Sequence, residues 1–474
     1  LLYIKKYKLY HLYMSEISTR LIKKAVYNLC FDANICINKE VYSRILKEYL
    51  LSEKIEAKEI LKAILQNAKI AYEKKLPLCQ DTGQVIVFLK IGQKVKIKGE
   101  FINKAINEAV EKCYIDNCFR KSVVENSLFD RKNTKTNTPV VIHTEYVNGD
   151  DIKISVLIKG AGSENKSVLK MFLPTIQEEE LVHQIGDIIL ETGENACPPM
   201  FIGIGIGYTA EKSSIMAKEA FIKDKFTKEE LEFSEKVKKY IEKKAPEKYG
   251  STYVLDIRTI TGATHIACLP VSISINCHSK RYSHCVVKED GVIYQHKKPD
   301  FVDIQDTDND INEIKTEDTK AIRNLKSGQK VLLTGHIYVA RDMAHKRLCE
   351  LLKEKKPLPV ELRDKIIFYA GPCPAKKGEI SGSIGPTTAS RMDKYAVELY
   401  KNGLLATIGK GSRSKEIIEV IKNTSSKYFT AIGGVAALLS RHIKKSEIIA
   451  FEDLGAEAIY ELYVEKLPVI TQIS

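Results

Sequence analysis

The stretch Lys298–Asp318, KPDFVDIQDTDNDINEIKTED, divides the chain in two. It is acidic, and after Phe301 it is poor in large apolar residues, so it reads as a linker or loose loop between folded parts. On its N-terminal side, residues 14–297 open with amphipathic helices. Tyr42, Ile45, Leu46, Tyr49 and Leu50 repeat at helical spacing, as do Ala57, Ile60, Leu61, Ile64, Leu65 and Ala68. Apolar strand-like runs follow at 85–89, 140–143 and 152–158. A helix is expected over 175–192, a long polar helical stretch over 210–245, and strands at 252–258 and 269–276. On the C-terminal side, residues 319–474 alternate strand and helix, with strands at 330–333 and 366–369 around a helix over 341–355. Gly-rich turns recur there at 382–385, 409–411 and 433–434. The pattern predicts a two-domain α/β (α+β) chain with no internal repeat.

Composition narrows the function. Of 474 residues, 44% are hydrophobic and 28% charged, which excludes collagenous, mucin-like and wholly disordered chains. Lys and Arg number 74 against 61 Asp and Glu, a net charge of +13 that suits anionic substrates. A basic RNA-binding protein is the rival class, but there is no RNP-type signature and no concentrated basic patch. The longest uncharged stretch, 259–279, carries His265, Cys268, Pro270, Asn276, Cys277 and His278, which argues against a membrane helix. Residues 1–13 are basic and aromatic without a signal-peptide core, and are expected to be a disordered or untranslated tail. Eleven cysteines, an odd number, argue for reduced thiols and a cytoplasmic address, with an organellar one as the alternative.

The candidate chemistry lies in loops. Cys79, Cys197 and Cys277 stand 118 and 80 residues apart, so no zinc-ribbon or ferredoxin spacing exists, though a site assembled from distant loops stays open. Cys277, His278, His284 and Cys285 could form a zinc site, but adjacent residues on a strand point to opposite faces. Cys113 and Cys118 read as helical core. The GAGSENKS segment at 160–167 is either a nest of backbone N–H groups for an anion or an ordinary tight turn. GIGIG at 203–207 lacks phosphate-loop spacing and reads as a buried strand or turn. Arg341, Thr387, Thr388, Arg391 and Lys410 gather in Gly- and hydroxyl-rich turns, the setting in which guanidinium forks bind carboxylates.

In order along the chain stand LCQDTGQ (78–84), KGAGSENKS (159–167), ACPPMFIGIG (196–205), the Cys277 loop, LTGHIYVARDMAH (333–345), YAGPCP (369–374), SGSIGPTTASRMD (381–393) and IGKGSRS (408–414). This series resembles the class I, iron–sulfur fumarate hydratase family, whose close relatives include L-tartrate dehydratase and mesaconate hydratases. The resemblance runs from about residue 16 to 470. It implies an N-terminal iron–sulfur domain fused to a C-terminal swivelling β/β/α domain, a [4Fe-4S] cluster, and a homodimer that binds neither nucleic acid nor membrane. By motif, Cys79, Cys197 and Cys277 would be the cluster ligands, with Cys268 the rival for the third place. The fourth iron, open, would act as Lewis acid in the reversible hydration of fumarate to S-malate. Gln80, Arg120, Gly160, Gly162, Arg341, Arg391 and Lys410 would surround the dicarboxylate, and Asp81 with Thr387 would transfer protons, their acid and base roles unassigned. Ala161 stands where relatives often carry glycine. L-tartrate or mesaconate is the alternative substrate.

Overall fold

The computed structural model describes residues 14–193, 196, 198–247, 249–304 and 311–473; residues 1–13, and with them the expected tail, lie outside the described residues. Three helices open the chain, Thr19–Ile35, Lys39–Leu51 and Ile55–Lys74. The first starts where Ser18 accepts the Leu21 N–H at 3.3 Å, and it buries a stripe of Ile22, Ala25, Val26, Leu29 and Ala33.

That stripe and helix Ile102–Asp116 cover one face of a five-stranded sheet, ordered Gly291–Tyr294, Tyr282–Lys288, Ile152–Lys159, Gln84–Gly92, Val141–Val147. Alternation along Gln84–Gly92 sends Val85, Val87 and Leu89 into this core and Ile86 and Phe88 into the core behind the sheet. A four-stranded sheet, Val168–Phe172, Leu269–Cys277, Met200–Tyr208, Val254–Thr264, carries helices Glu178–Gly193 and Lys228–Lys244 on one side. Helix Ala210–Glu219 presses on the other side. A Cβ at Gly203 or Gly205 would sit 2.0 or 2.1 Å from the carbonyls of Ala217 and Ser213, so GIGIG is a buried strand whose glycines admit a helix. The expected helical stretch 210–245 is two helices, because Thr227 and Glu230 form a capping box that starts a second one. Cys113 is buried on its helix as expected. Cys118 lies past the helix end, at φ 54°.

The C-terminal part is a closed barrel. Strands Lys330–Val339, Ile366–Phe368, Ala406–Gly409 and Lys427–Thr430 run parallel in that order. The 15-residue strand Ile459–Ile473 runs antiparallel to both Lys427–Thr430 and Lys330–Val339 and closes the circuit. Helices Asp342–Lys353, Asp393–Lys401 and Lys415–Asn423 pack outside it through Leu348, Leu399 and Ile417.

The two parts share a core. Leu61, Ile64, Leu65 and Ala68 pack with Leu333, Ile337 and Phe368 of the barrel, and Asn67 accepts the Leu438 N–H at 2.9 Å. The described ends of the acidic stretch are docked. The Phe301 ring meets Tyr42 edge-on at 5.3 Å, Val302 donates to the Tyr42 hydroxyl at 3.1 Å, and Glu313–Lys315 pairs with Leu332–Thr334.

Candidate active site

The seam between the two parts is where the sequence motifs meet. The loop before strand Gln84–Gly92 turns at Gly83, φ +66°, where a Cβ would lie 2.7 Å from the Lys159 carbonyl. Tyr114 donates to the Thr82 carbonyl at 2.5 Å, and Thr82 donates to the Arg120 carbonyl at 2.6 Å, so this turn is tied to the Arg120 segment. Arg120 is buried. It reaches Asp81 Oδ1 at 2.9 Å, the Gly371 carbonyl at 3.0 Å and Ser122 at 3.2 Å.

Asp81 is held by more than Arg120. Its Oδ1 also accepts the Gly83 N–H at 3.2 Å, and its Oδ2 the Ala161 N–H at 2.8 Å. Burial alone would raise the Asp81 pKa, but Arg120 and Arg281, with the two N–H donors, outweigh it and hold the carboxyl below its usual range. The segment from Gly160 is a short helical turn, Ala161–Glu164, rather than an open loop. Its first N–H serves Asp81 through the backbone, which explains why Ala161 is tolerated: its methyl is exposed. Gly160 has no such freedom, since a Cβ there would lie 3.2 Å from Asp81 Oδ2 and 3.3 Å from an Arg281 terminal nitrogen. Gly162 faces the barrel, its Cβ position 4.0 Å from Lys410 Nζ.

The barrel contributes the other side. Gln80 is buried and donates to the Pro386 carbonyl at 3.3 Å, which sets the residues next to Asp81 and Thr387 against each other. Thr387 N–H donates to Tyr369, and its carbonyl accepts from Lys410 N–H at 3.1 Å, so the two motif residues sit on neighbouring segments. Arg341 pairs with Glu457 at 2.8 Å and Arg391 with Asp342 at 2.7 Å. Cys373 donates to the Gln80 carbonyl at 3.4 Å.

The cysteines divide. Cys79 is buried, with its thiol 3.5 Å from Gln80 Oε1. Burial pushes that thiol up; Cys277, close enough to act on it, adds to the rise, while Arg281 opposes it. Cys277 ends strand Leu269–Cys277, opposite Met200 in the sheet. Cys268 precedes the other end of that strand, about 30 Å away at ~3.3 Å per residue. Cys197 lies outside the described residues. The zinc alternative does not converge: His278 bonds the Gly434 carbonyl at 3.2 Å, and Cys285 lies in the helix-covered core. Among the described residues, no three His, Cys, Asp or Glu side chains group to hold a metal ion. All ten described cysteines are free thiols, and no described helix is long and apolar enough to cross a membrane.

Sequence reasoning missed Arg281, Glu457 and Asp342. Arg281 is four residues past Cys277 in a visibly basic loop, but only the fold shows it buried, 3.4 Å from Asn34 Oδ1.

Two buried guanidinium groups, Arg120 and Arg281, flank the Asp81 carboxylate at the seam of this two-domain α/β chain, an arrangement suited to a small anion. Residues 23–286 match the family model "Fumarate hydratase (Fumerase)" and residues 291–474 the model "Fumarase C-terminus". The chain is 31% identical to "Fumarate hydratase 1, mitochondrial" of Leishmania major, over 85% of this chain and 79% of the relative. It is 30% identical to "Fumarate hydratase class I, anaerobic" of Escherichia coli strain K12, over 96% and 87%. It is 34% identical to "Putative L(+)-tartrate dehydratase subunit alpha" of Methanocaldococcus jannaschii, over 57% and 99%. The chain belongs to the class I fumarate hydratase family.

Proposed function

We propose that the protein catalyses the reversible addition of water across fumarate to give S-malate at this seam. The observation that carries the reading is the Asp81 carboxylate, held ionised between Arg120 and Arg281, with its chain neighbour Gln80 bonded to the Pro386 carbonyl beside Thr387 of the barrel. Arg120, Arg341, Arg391 and Lys410, with Gln80, Gly160 and Gly162, are the groups proposed to hold the dicarboxylate. Charge-assisted hydrogen bonds of this kind contribute about 1.5–3 kcal/mol each.

Malate C3 is weakly acidic. Cations on the adjacent carboxylate stabilise the charge that develops as its proton leaves. Asp81, being ionised, enters as acceptor of that proton; passed on to the departing hydroxide with the Thr387 hydroxyl as relay, the same proton makes water and restores both groups, and hydration runs these transfers in reverse. The donor set fits a [4Fe-4S] cluster: Cys79 and Cys277 bring two soft thiol ligands to one place beside the cationic Arg281, and Cys197 is the proposed third. When bound, such a cluster supplies a Lewis-acidic iron with no protein ligand. The division into domains 14–297 and 319–474 around 298–318, a homodimeric state and a cytoplasmic address complete the proposal, the last resting on the thiol content.

The second reading is L-tartrate as substrate, favoured by the identity to the archaeal putative tartrate dehydratase subunit. Anoxic reconstitution with iron and sulfide, followed by the loss of fumarate absorbance, tests the choice. Turnover of fumarate supports the first reading; a cluster spectrum with tartrate turnover only would replace it with the second.

A further inference from the structure

Each arginine proposed to meet the substrate already faces one acidic side chain, and Arg341 is held in the most particular way. It is the N-cap residue of helix Asp342–Lys353. One terminal nitrogen reaches Glu457 Oε1 at 2.8 Å. Its Nε is buried with no hydrogen-bond partner among the described residues. That nitrogen lies 2.9 Å from where a Cβ on Gly371 would stand, beside the carbonyl that Arg120 binds.

Glu457 does not depend on Arg341 for its place. Its second oxygen accepts the Met343 N–H at 2.9 Å, a first-turn donor that the helix itself leaves unpaired. It comes from the turn Glu452–Glu457 ahead of strand Ile459–Ile473, outside every motif the sequence offered. The carboxylate is therefore fixed by the helix start and acts as a standing counter-ion to the guanidinium. Burial, with Arg120 next in effect, draws the Arg341 pKa down, so the site also gains from a fixed negative charge there.

We infer that Glu457 sets the charge selectivity of the site: as the fixed counter-ion of Arg341, it tempers the pull of that guanidinium on a dianion. The physical reason is that substrate and product are both dianions. An uncompensated arginine would tighten both equally, and uniform binding of that kind does not raise turnover. The inference rests on the proposed reading of Arg341 as a substrate arginine.

The test compares two inhibitors of the reconstituted full-length protein at pH 8. Succinate carries two carboxylates, and succinamate has the same shape with one of them replaced by an amide. Glu457→Gln widens the ratio of their inhibition constants by about threefold or more, because the added positive charge acts twice on the dianion and once on the monoanion. Glu457→Asp keeps the native ratio even where both constants weaken. Glu457→Ala, which removes charge and helix contact together, widens the ratio and serves if the glutamine variant does not fold. An unmoved ratio in the folded charge-removing variants, or an aspartate variant that behaves like them, overturns the inference. The unsubstituted enzyme is measured first. No fumarate turnover and no succinate inhibition there would sink the substrate reading itself, whereas both present with an unmoved ratio sinks the Glu457 inference alone.

Discussion

Arg120 and Asp81 form the joint at which the two parts of the chain meet. One terminal nitrogen of Arg120 lies 2.9 Å from Asp81 Oδ1, and the other donates to the barrel carbonyl of Gly371 at 3.0 Å. A single buried guanidinium therefore fixes the carboxylate and the position of the barrel loop opposite it.

Replacing Arg120 tests that joint. Lysine keeps the charge but offers no planar fork to reach both partners. Arg120→Lys is expected to lower kcat/KM by about a hundredfold, in line with losing one buried charge-assisted contact of ~3 kcal/mol. Steady-state kinetics on folded protein decide it, and a loss under threefold would remove the bridge from the account.

Gly160 and Ala161 make opposite predictions although they are neighbours. A methyl at 160 enters the gap between Asp81 Oδ2 and Arg281, whereas residue 161 contributes only its N–H. Gly160→Ala is expected to cut kcat by about tenfold or more with the melting temperature within a few degrees. Ala161→Gly should stay within about twofold of native. Equal effects at the two positions would mean that close approach at 160 does not matter.

His345 gives a pH signature. It is buried, its Nδ1–H donates to the Arg341 carbonyl at 3.1 Å, and burial draws its pKa down to about 4, with Arg413 also lowering it and Asp342 opposing. The unfolded chain takes up this proton near pH 6.5, the folded chain only near 4, so stability is lost as pH falls between those values. The contribution is about 2 kcal/mol by pH 5. Urea unfolding at pH 7 and pH 5 should show a smaller pH difference for His345→Asn than for native protein; identical differences would contradict the assignment.

The two rival cysteines separate by iron content. Cys277→Ser is expected to lose the cluster after anoxic reconstitution, and Cys268→Ser to retain it, since the strand between them keeps Cys268 far from Cys79. The reverse result would move the third ligand to Cys268.

Much of this candidate site is legible as sequence because its residues sit in short glycine-bearing loops. Gly83 marks a close approach to the Lys159 backbone and Gly160 one to the Asp81 and Arg281 side chains, and Asp81, Thr387 and Lys410 each stand within two residues of a glycine, at 83, 385 and 409. The stretch 298–318 stands out as a change of composition, but the docking of its described ends is not legible there. Phe301 rests on Tyr42, some 260 residues earlier in the chain, a contact that no local pattern encodes. The break between helices Ala210–Glu219 and Lys228–Lys244 was written in Thr227 and Glu230, and the polar periodicity on both sides hid it. Arg281 and Glu457 escaped because a charged residue reads as solvated until the fold places it against a partner.

The most direct test of the account is Asp81→Asn, assayed for fumarate hydration after anoxic reconstitution. The account predicts an unchanged cluster spectrum and turnover lowered by about 10³-fold, the scale of a lost proton-transfer group. An intact spectrum with near-native turnover would contradict it and remove Asp81 from the chemistry.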